Sequence, residues 1–316
     1  MPRNGRDLRR VWRLLGLQQG VLSESGPIAM TNITSRDNKW LKSFRAALRG
    51  KGPDPAKSDP IGIEGPKLVE EALRSGLEVQ ALLVSESGER DAAAILKVAG
   101  ESEAGIPRSQ ILRTTDKLFE SVSGTEAPQG VAALFRRPEW GLDDVLHGVG
   151  VMRGNSPLVV VLAAIQDPGN VGTILRSAEA FGATGAVATR GTADPWSPKA
   201  LRASAGSTLR LPVLRGMAIP VLLAQLRIAG VKIYAASSLR NGHAGETRAH
   251  ADWREAAAIF VGNEGAGLPS EVTNAADAMI SIPTSDAVES LNAGVAASIV
   301  LYEAARQRAG AAGAEK

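Results

Sequence analysis

Three short segments carry the residues of this chain best suited to chemistry: DPGNVGTILRSAEAFGA from Asp167, FVGNEGAGLP from Phe260, and IPTSDAVESLNAGVAASIVLYEAARQR from Ile282. Each joins an apolar run to a small polar turn, rich in glycine or in Ser and Asn, that leads into or sits beside a helix. Asn170 stands where a side chain would cap a helix start or equally hold a ribose or phosphate. Arg176 follows on that helix; by residue type alone an Arg there more often makes a surface ion pair. Gly262, Asn263, Glu264, Gly265 and Gly267 form a loop in which positive φ and close backbone approach bring amides and carbonyls directly to a ligand. Glu264 is its only carboxylate. Ile282, Ser290, Leu291 and Asn292 make the third turn, with Ser290 a candidate cap for the last helix. Together the turns predict one pocket built mostly from backbone, able to grip a nucleotide-like cofactor without metal or charge.

The composition excludes other chemistries. With no cysteine among 316 residues, there is no disulfide, thiolate nucleophile, or cysteine-ligated zinc or iron–sulfur site. His147, His243 and His250 are too scattered for a ligand cluster, so no metal is expected. No apolar run reaches the roughly 18 residues of a membrane span, and the start is too basic and too briefly apolar to be expected as a signal peptide; a cytoplasmic protein is expected. The net charge of +3 conceals an asymmetry: up to Lys51 there are 11 Lys plus Arg against 3 Asp plus Glu, a balance of +8. Such a concentration attracts phosphate backbones, which fits an RNA partner, although a solvated tail has the same composition.

The elements that must position these residues fall into two α/β domains. SRDNKWLKSFRAALRG, from Ser35, reads as an amphipathic helix with Trp40, Leu41, Phe44, Ala47 and Leu48 on one side and Lys39, Lys42, Arg45 and Arg49 around them. KGPDPAKSDP is a loop. Strands are predicted at IGIEG, VQALLVS, SQILRT and GVAALF, and helices at PKLVEEALRSG, ERDAAAILKVAG and TDKLFESVSG. RRPEWGLDDVLHGVGVMRGNSP is the connection, with VLHGVGVM a possible short helix. LVVVLAAI has the continuous β-branched character of a strand buried on both faces of a parallel sheet. Further strands are expected at GAVATR, LRLPVLR, VKIYAAS, AAIFVG and AMISIP, with helices at TILRSAEAFG, IPVLLAQLRIAG and the final stretch from Ser290. Strands alternating with helices argue for a mainly parallel sheet covered on both faces.

In order and spacing the three segments resemble the motifs of the SpoU/TrmH family of RNA 2′-O-ribose methyltransferases, of the SPOUT superfamily. The likeness runs from Leu158 to about Arg308, and more weakly through IGIEGPKLVEEALRSGLEVQALLVS. It implies a C-terminal domain with a trefoil knot, preceded by a smaller α/β, L30e-like substrate-binding domain. The expected organisation is a disordered basic extension over 1–30, a basic helix plus small domain over 31–135, a linker over 136–156, and the knotted domain over 157–310. The resemblance implies S-adenosyl-L-methionine as cofactor, ribosomal RNA more than transfer RNA as substrate, and a homodimer. It implies that Arg176, Asn170, Glu264, Ser290 and Asn292 line the catalytic pocket. The cofactor would lie against Gly262, Asn263, Gly265, Gly267, Ile282, Ser290 and Leu291. The family's Arg has been assigned as a general base, but a guanidinium is a poor proton acceptor; orienting the 2′-hydroxyl and stabilising a developing alkoxide suit its fixed charge better. Two other classes compete: a noncatalytic RNA-binding protein that keeps the scaffold, and a nicotinamide-dependent dehydrogenase. The latter lacks GxGxxG after the first strand of either domain.

Overall fold

The computed structural model describes residues 31–50, 60–101, 110–150 and 155–236, and 251–314 apart from 264, 286, 288 and 289. The segment read as a disordered extension, together with His243, His250 and Glu264, lies outside the described residues. The chain divides into two compact units, with the main boundary between Arg136 and Arg137. Among the described residues no helix is long and apolar enough to cross a membrane.

In the first unit, β1 (Thr31–Asn32), β2 (Ile61–Glu64), β3 (Val79–Ser85), β4 (Ile111–Thr114) and β5 (Val131–Phe135) form a sheet in the order β1-β4-β3-β5-β2. β4 is parallel to β1 and β3, whereas β5 is antiparallel to β3. The basic helix α1 (Lys39–Leu48) starts at Asn38, whose side chain accepts the Trp40 N–H at 2.8 Å. Its Leu41, Phe44 and Leu48 recur at helical spacing and bury against Leu83, Leu112, Phe119 and Leu134. Arg45 and Arg49 both donate to the Ser121 carbonyl, at 3.3 and 3.0 Å. Part of the basic face therefore fastens α1 to its own unit. Helices α2 (Pro66–Arg74), α3 (Glu89–Glu101) and α4 (Asp116–Glu120) complete it.

The second unit is built on six strands, β6 (Leu158–Ala163), β7 (Gly185–Thr189), β8 (Val213–Met217), β9 (Lys232–Ala236), β10 (Ala257–Gly262) and β11 (Ala278–Ile280). They lie in the order β11-β9-β10-β6-β7-β8, and every pair is parallel. Alternation explains why β6 is apolar throughout. Leu158, Val160 and Leu162 face one core, with Ile174, Leu175, Val300 and Leu301. Val159 and Val161 face the other, with Val145, Leu222, Leu226 and Val272. The first core is covered by α6 (Pro168–Ala180) and α11 (Ala293–Ala314), the second by α5 (Leu142–His147), α9 (Ile219–Ile228) and α10 (Ser270–Ala275).

Several boundaries depart from the sequence reading, each for a local reason. The short helix in the connecting stretch begins at Leu142, ahead of VLHGVGVM, because Asp144 reaches back to the Gly141 N–H at 2.8 Å. Helix α6 begins at Pro168, five residues before TILRSAEAFG, since proline is preorganised for the first helical position. LRLPVLR is a strand only from Val213; before it α8 (Ser207–Arg210) makes a single helical turn, and Arg210 pairs with Glu179 at 2.5 Å. AMISIP keeps only three strand residues. Two further helices, α7 (Pro198–Ala203) and α8, lie in SPKALRASAGSTLR, whose apolar period is too short to show them, although Ser197 and Pro198 mark the start of α7.

Candidate active site

The chain reverses direction across the sheet at β6: β7 and β8 lie to one side of it, β10 and β9 to the other. In open α/β sheets, ligands bind beyond the carboxyl ends of the strands at such a switch point. The loop after β6 leads into α6, and the loop after β10 is the glycine turn. The two are joined directly, because Asn263 Nδ2 donates to the Ala164 carbonyl at 3.2 Å. Ala164 has φ +56°, a left-handed conformation costly for a residue with a side chain. Nothing in an Ala between Ala163 and Ile165 marks this from sequence.

The glycine turn closes on itself. Asn263 Oδ1 accepts the N–H groups of Gly265 and Ala266 at 2.9 and 3.0 Å, an Asx turn of the kind that fixes tight loops. The Gly267 N–H donates to the Asn263 carbonyl at 2.8 Å, and the Asn263 N–H to the Gly267 carbonyl at 3.2 Å. A Cβ on Gly262 would come within 2.6 Å of the Gly267 carbonyl group, so only glycine allows this approach. Gly267 has φ +70°, whereas neither Gly262 nor Gly265 is among the positive-φ residues, so the expectation for all three glycines holds at one of them. A Cβ on Gly265 would meet only Asn263 Oδ1, at 3.5 Å. Gly262→Ala is therefore expected to open the turn and lower affinity for the expected cofactor at least about tenfold, because a fixed backbone atom must move. Gly265→Ala should cost clearly less. Titration calorimetry of the two variants checks this, and equal losses would remove the close-approach argument.

At the start of α6 the cap is Asp167, and Asn170 sits inside the first turn. The expected cap at Asn170 is thus corrected: Pro168, which has no N–H to satisfy, suits the first helical position, and the cap falls on Asp167 before it. Asp167 receives Lys199 Nζ at 2.5 Å. That hydrogen bond, followed by the amides of Gly169 and Asn170, holds its carboxyl below the usual carboxylate range. Freed from capping, Asn170 Oδ1 accepts from Asn292 Nδ2 at 3.0 Å, across 122 positions of sequence. Asn292 Oδ1 in turn accepts the N–H groups of Gly294 and Val295 at 2.9 and 3.2 Å. Asn292, two residues after the expected Ser290, is therefore the cap of α11, and Ser290 is exposed outside the helix. The Ser177 and Ser298 hydroxyls meet at 2.6 Å between α6 and α11.

Arg176 lies further along α6 and is exposed, on the same side as Thr173. No carboxylate pairs with it among the described residues, which leaves the surface ion-pair reading without a partner there. Ile282 packs against the edge of the first core, and Leu291 is half-buried. The structure thus joins Asn170 to Asn292, and the Asn263 turn to β6; no hydrogen bond links Arg176 or Ser290 to either among the described residues. Lys199 was missed, although SPK, a serine cap followed by proline, was a legible helix start.

The SpoU rRNA Methylase family model matches residues 157–302, and a model of the MRM3-like substrate binding domain matches residues 56–133. The 23S rRNA (guanosine(2553)-2'-O)-methyltransferase RlmP of Bacillus subtilis is 33% identical over 273 residues, covering 86% of this chain and 98% of its own. The 23S rRNA (uridine(2479)-2'-O)-methyltransferase of Streptomyces viridochromogenes is 31% identical over 284 residues, covering 89% and 93%. Among solved structures, the AdoMet-bound rRNA methyltransferase from Sinorhizobium meliloti superposes with a TM-score of 0.70 at 28% identity, covering 88% of this chain and 98% of that one.

Proposed function

The chain belongs to the SpoU rRNA methylase family, and from that premise we propose that it transfers a methyl group from S-adenosyl-L-methionine to a ribose 2′-hydroxyl of large-subunit ribosomal RNA. The observation that carries the reading is the junction at the switch point, where Asn263 bonds to Ala164 and Asn170 to Asn292. It gathers the ends of β6 and β10 and the start of α11 at the place where an α/β sheet binds ligands.

The residues present fit the cofactor. The exposed Gly265 and Ala266 offer backbone groups from a turn already held by its own hydrogen bonds, while Ile282 and Leu291 offer half-buried apolar surface for an adenine. S-adenosylmethionine, when bound, supplies a methyl group on a sulfonium that is already an excellent leaving group, so no metal is needed. Arg176 orients the 2′-hydroxyl and the adjacent phosphate and stabilises the alkoxide as its charge develops. Asn170, held by Asn292, places a polar side chain at the mouth of the same helix, and Ser290 lies two residues before Asn292. Glu264 would help fix Arg176 or the substrate. Alignment of the two reactants supplies much of the acceleration.

The first unit and the basic stretch before it serve RNA binding in this reading. The exposed stripe of Val295, Ile299 and Tyr302 along α11, at helical spacing, supports a homodimer through that helix. The reading also carries the trefoil knot, with the last helix threaded through a loop of the second unit, and a cytoplasmic location. The test is to map 2′-O-methyl positions in ribosomal RNA from cells with and without the protein, and to restore the missing one with purified full-length chain and S-adenosylmethionine. A single position in large-subunit RNA should be lost and regained. RNA binding with no methyl incorporation would favour the noncatalytic scaffold, and an unchanged methylation map would sink the reading.

A further inference from the structure

A group of arginines sits at the carboxyl ends of β7 and β8, on the side of β6 away from the glycine turn. Asp194, in the loop after β7, accepts Arg215 on Oδ1 at 3.3 Å and faces Arg137 through Oδ2 at 3.6 Å. Its Oδ1 also accepts the Trp196 N–H at 3.1 Å, so the carboxylate is fixed from both sides. Arg137 is mostly covered, with its side chain 16% exposed, while Asp194 is 41% exposed. Arg190, the first residue after β7, is exposed and donates through Nε to the Gly216 carbonyl at 3.3 Å.

Two independent features suggest that this arrangement is built for a ligand. First, the ladder between β7 and β8 is broken between Ala188 and Thr189, opposite Gly216, which has φ +71°. A bulge at the end of an edge strand re-aims the flanking side chain and terminates pairing. Here it presents Arg215, and its freed carbonyl holds Arg190 beside it. Second, the loop that carries Asp194 is pinned to the active-site loop: the Ala193 N–H donates to the Ile165 carbonyl at 2.8 Å, and Thr192 Oγ1 to the Leu162 carbonyl at 2.8 Å. Ile165 is two residues from Asp167, so the loop that holds Arg215 through Asp194 is joined to the segment that opens α6.

We infer that Arg190 and Arg215 form a phosphate-binding subsite for the RNA strand flanking the target nucleotide, with Asp194 as an internal stand-in for the phosphate. This rests on the RNA methyltransferase reading above. Guanidinium groups match phosphate oxygens in a bidentate fork, and a phosphate competes with a half-exposed carboxylate for Arg215. When Arg215 turns to the RNA, Arg137 and the Trp196 N–H keep Asp194 in place, so the loop pinned to the active site does not move. Each arginine engaged displaces condensed counterions, which makes its contribution readable from the salt dependence of binding.

The test measures binding of the full chain to large-subunit ribosomal RNA purified from cells lacking the protein, across a salt series, together with S-adenosylmethionine affinity. Arg190→Gln and Arg215→Gln should each weaken RNA binding about fivefold at low salt and reduce the log–log salt slope by about 1. Cofactor affinity should stay within about twofold, which also reports an intact fold. Asp194→Asn keeps the acceptor for Trp196 and removes the competing charge, so it should tighten RNA binding at least about threefold. A merely structural ion pair would give the opposite sign. Unchanged salt slopes in the arginine variants, weaker binding by Asp194→Asn, or a parallel loss of cofactor affinity would each overturn the subsite. Arg190 is exposed and its variant folds even where Arg215→Gln does not, so the slope remains measurable. Failure of the parent chain to bind this RNA at all would overturn the functional reading as well.

Discussion

Arg176→Ala lowers the single-turnover rate of methyl transfer to RNA by at least about a hundredfold at saturating cofactor, the scale of losing one preorganised electrostatic donor. The expectation follows from its place on α6, the helix that also carries Asn170, and from its exposure without a carboxylate partner among the described residues. An exposed Arg removed from such a setting costs little stability, so fold and cofactor affinity should be nearly intact. Arg176→Lys should recover little, because an ammonium cannot reproduce the planar fork that aligns hydroxyl and phosphate together. Methyl transfer by the Ala variant within a few-fold of the parent would make Arg176 a surface residue and empty the catalytic assignment.

The largest effect on stability is expected far from the site, at Arg308 near the end of α11. Its guanidinium donates to four backbone carbonyls: Trp253 at 2.6 Å, Ser156 at 2.6 Å, Pro157 at 2.9 Å and Glu255 at 3.0 Å. Burial pushes its pKa down, but an arginine remains charged, and the carbonyls stand where no carboxylate partner does among the described residues. These residues precede β6 and β10, so a single side chain fastens the last helix to the amino ends of the two central strands. The neighbouring Gln307 adds a hydrogen bond from the Trp253 N–H at 3.2 Å. Hydrogen bonds to a charged group contribute more than neutral ones, and truncation leaves the Trp253 and Pro157 carbonyls partly buried without this donor, while the exposed Ser156 and Glu255 carbonyls turn to solvent. Arg308→Ala should therefore cost about 3 kcal/mol, read as faster native-state hydrogen exchange at β6 and β10 amides. Arg308→Lys, with one compact ammonium in place of the fork, should restore less than half. A loss below about 1 kcal/mol would mean that solvent replaces these bonds at little cost.

Much of the architecture was legible because it rests on local pattern. The run LVVVLAAI stated a strand buried on both faces, and β6 divides its side chains between two cores accordingly. The apolar spacing of Leu41, Phe44 and Leu48 gave α1 and its buried side. The three polar turns were legible as turns, and the order of motifs carried the family. The sequence also contained the chemistry available, since a chain without cysteine leaves Arg, Asn, Ser, carboxylates and backbone to do the work.

What tertiary structure alone decided was which polar group satisfies which. Asn170 and Ser290 were each reasonable caps by residue type, yet Asp167 and Asn292 occupy those positions, and Asn170 bonds to Asn292 instead. A cap depends on one residue of register, and register at a helix start is set by how the loop arrives from the sheet, which local propensity does not encode. The left-handed Ala164, the bulge at Gly216, and the four carbonyls around Arg308 are likewise properties of distant segments meeting. The physical reason is common to all of them. Hydrophobic periodicity is written along the chain, whereas the partner of a polar group is chosen by whatever the packed fold brings within about 3 Å of it.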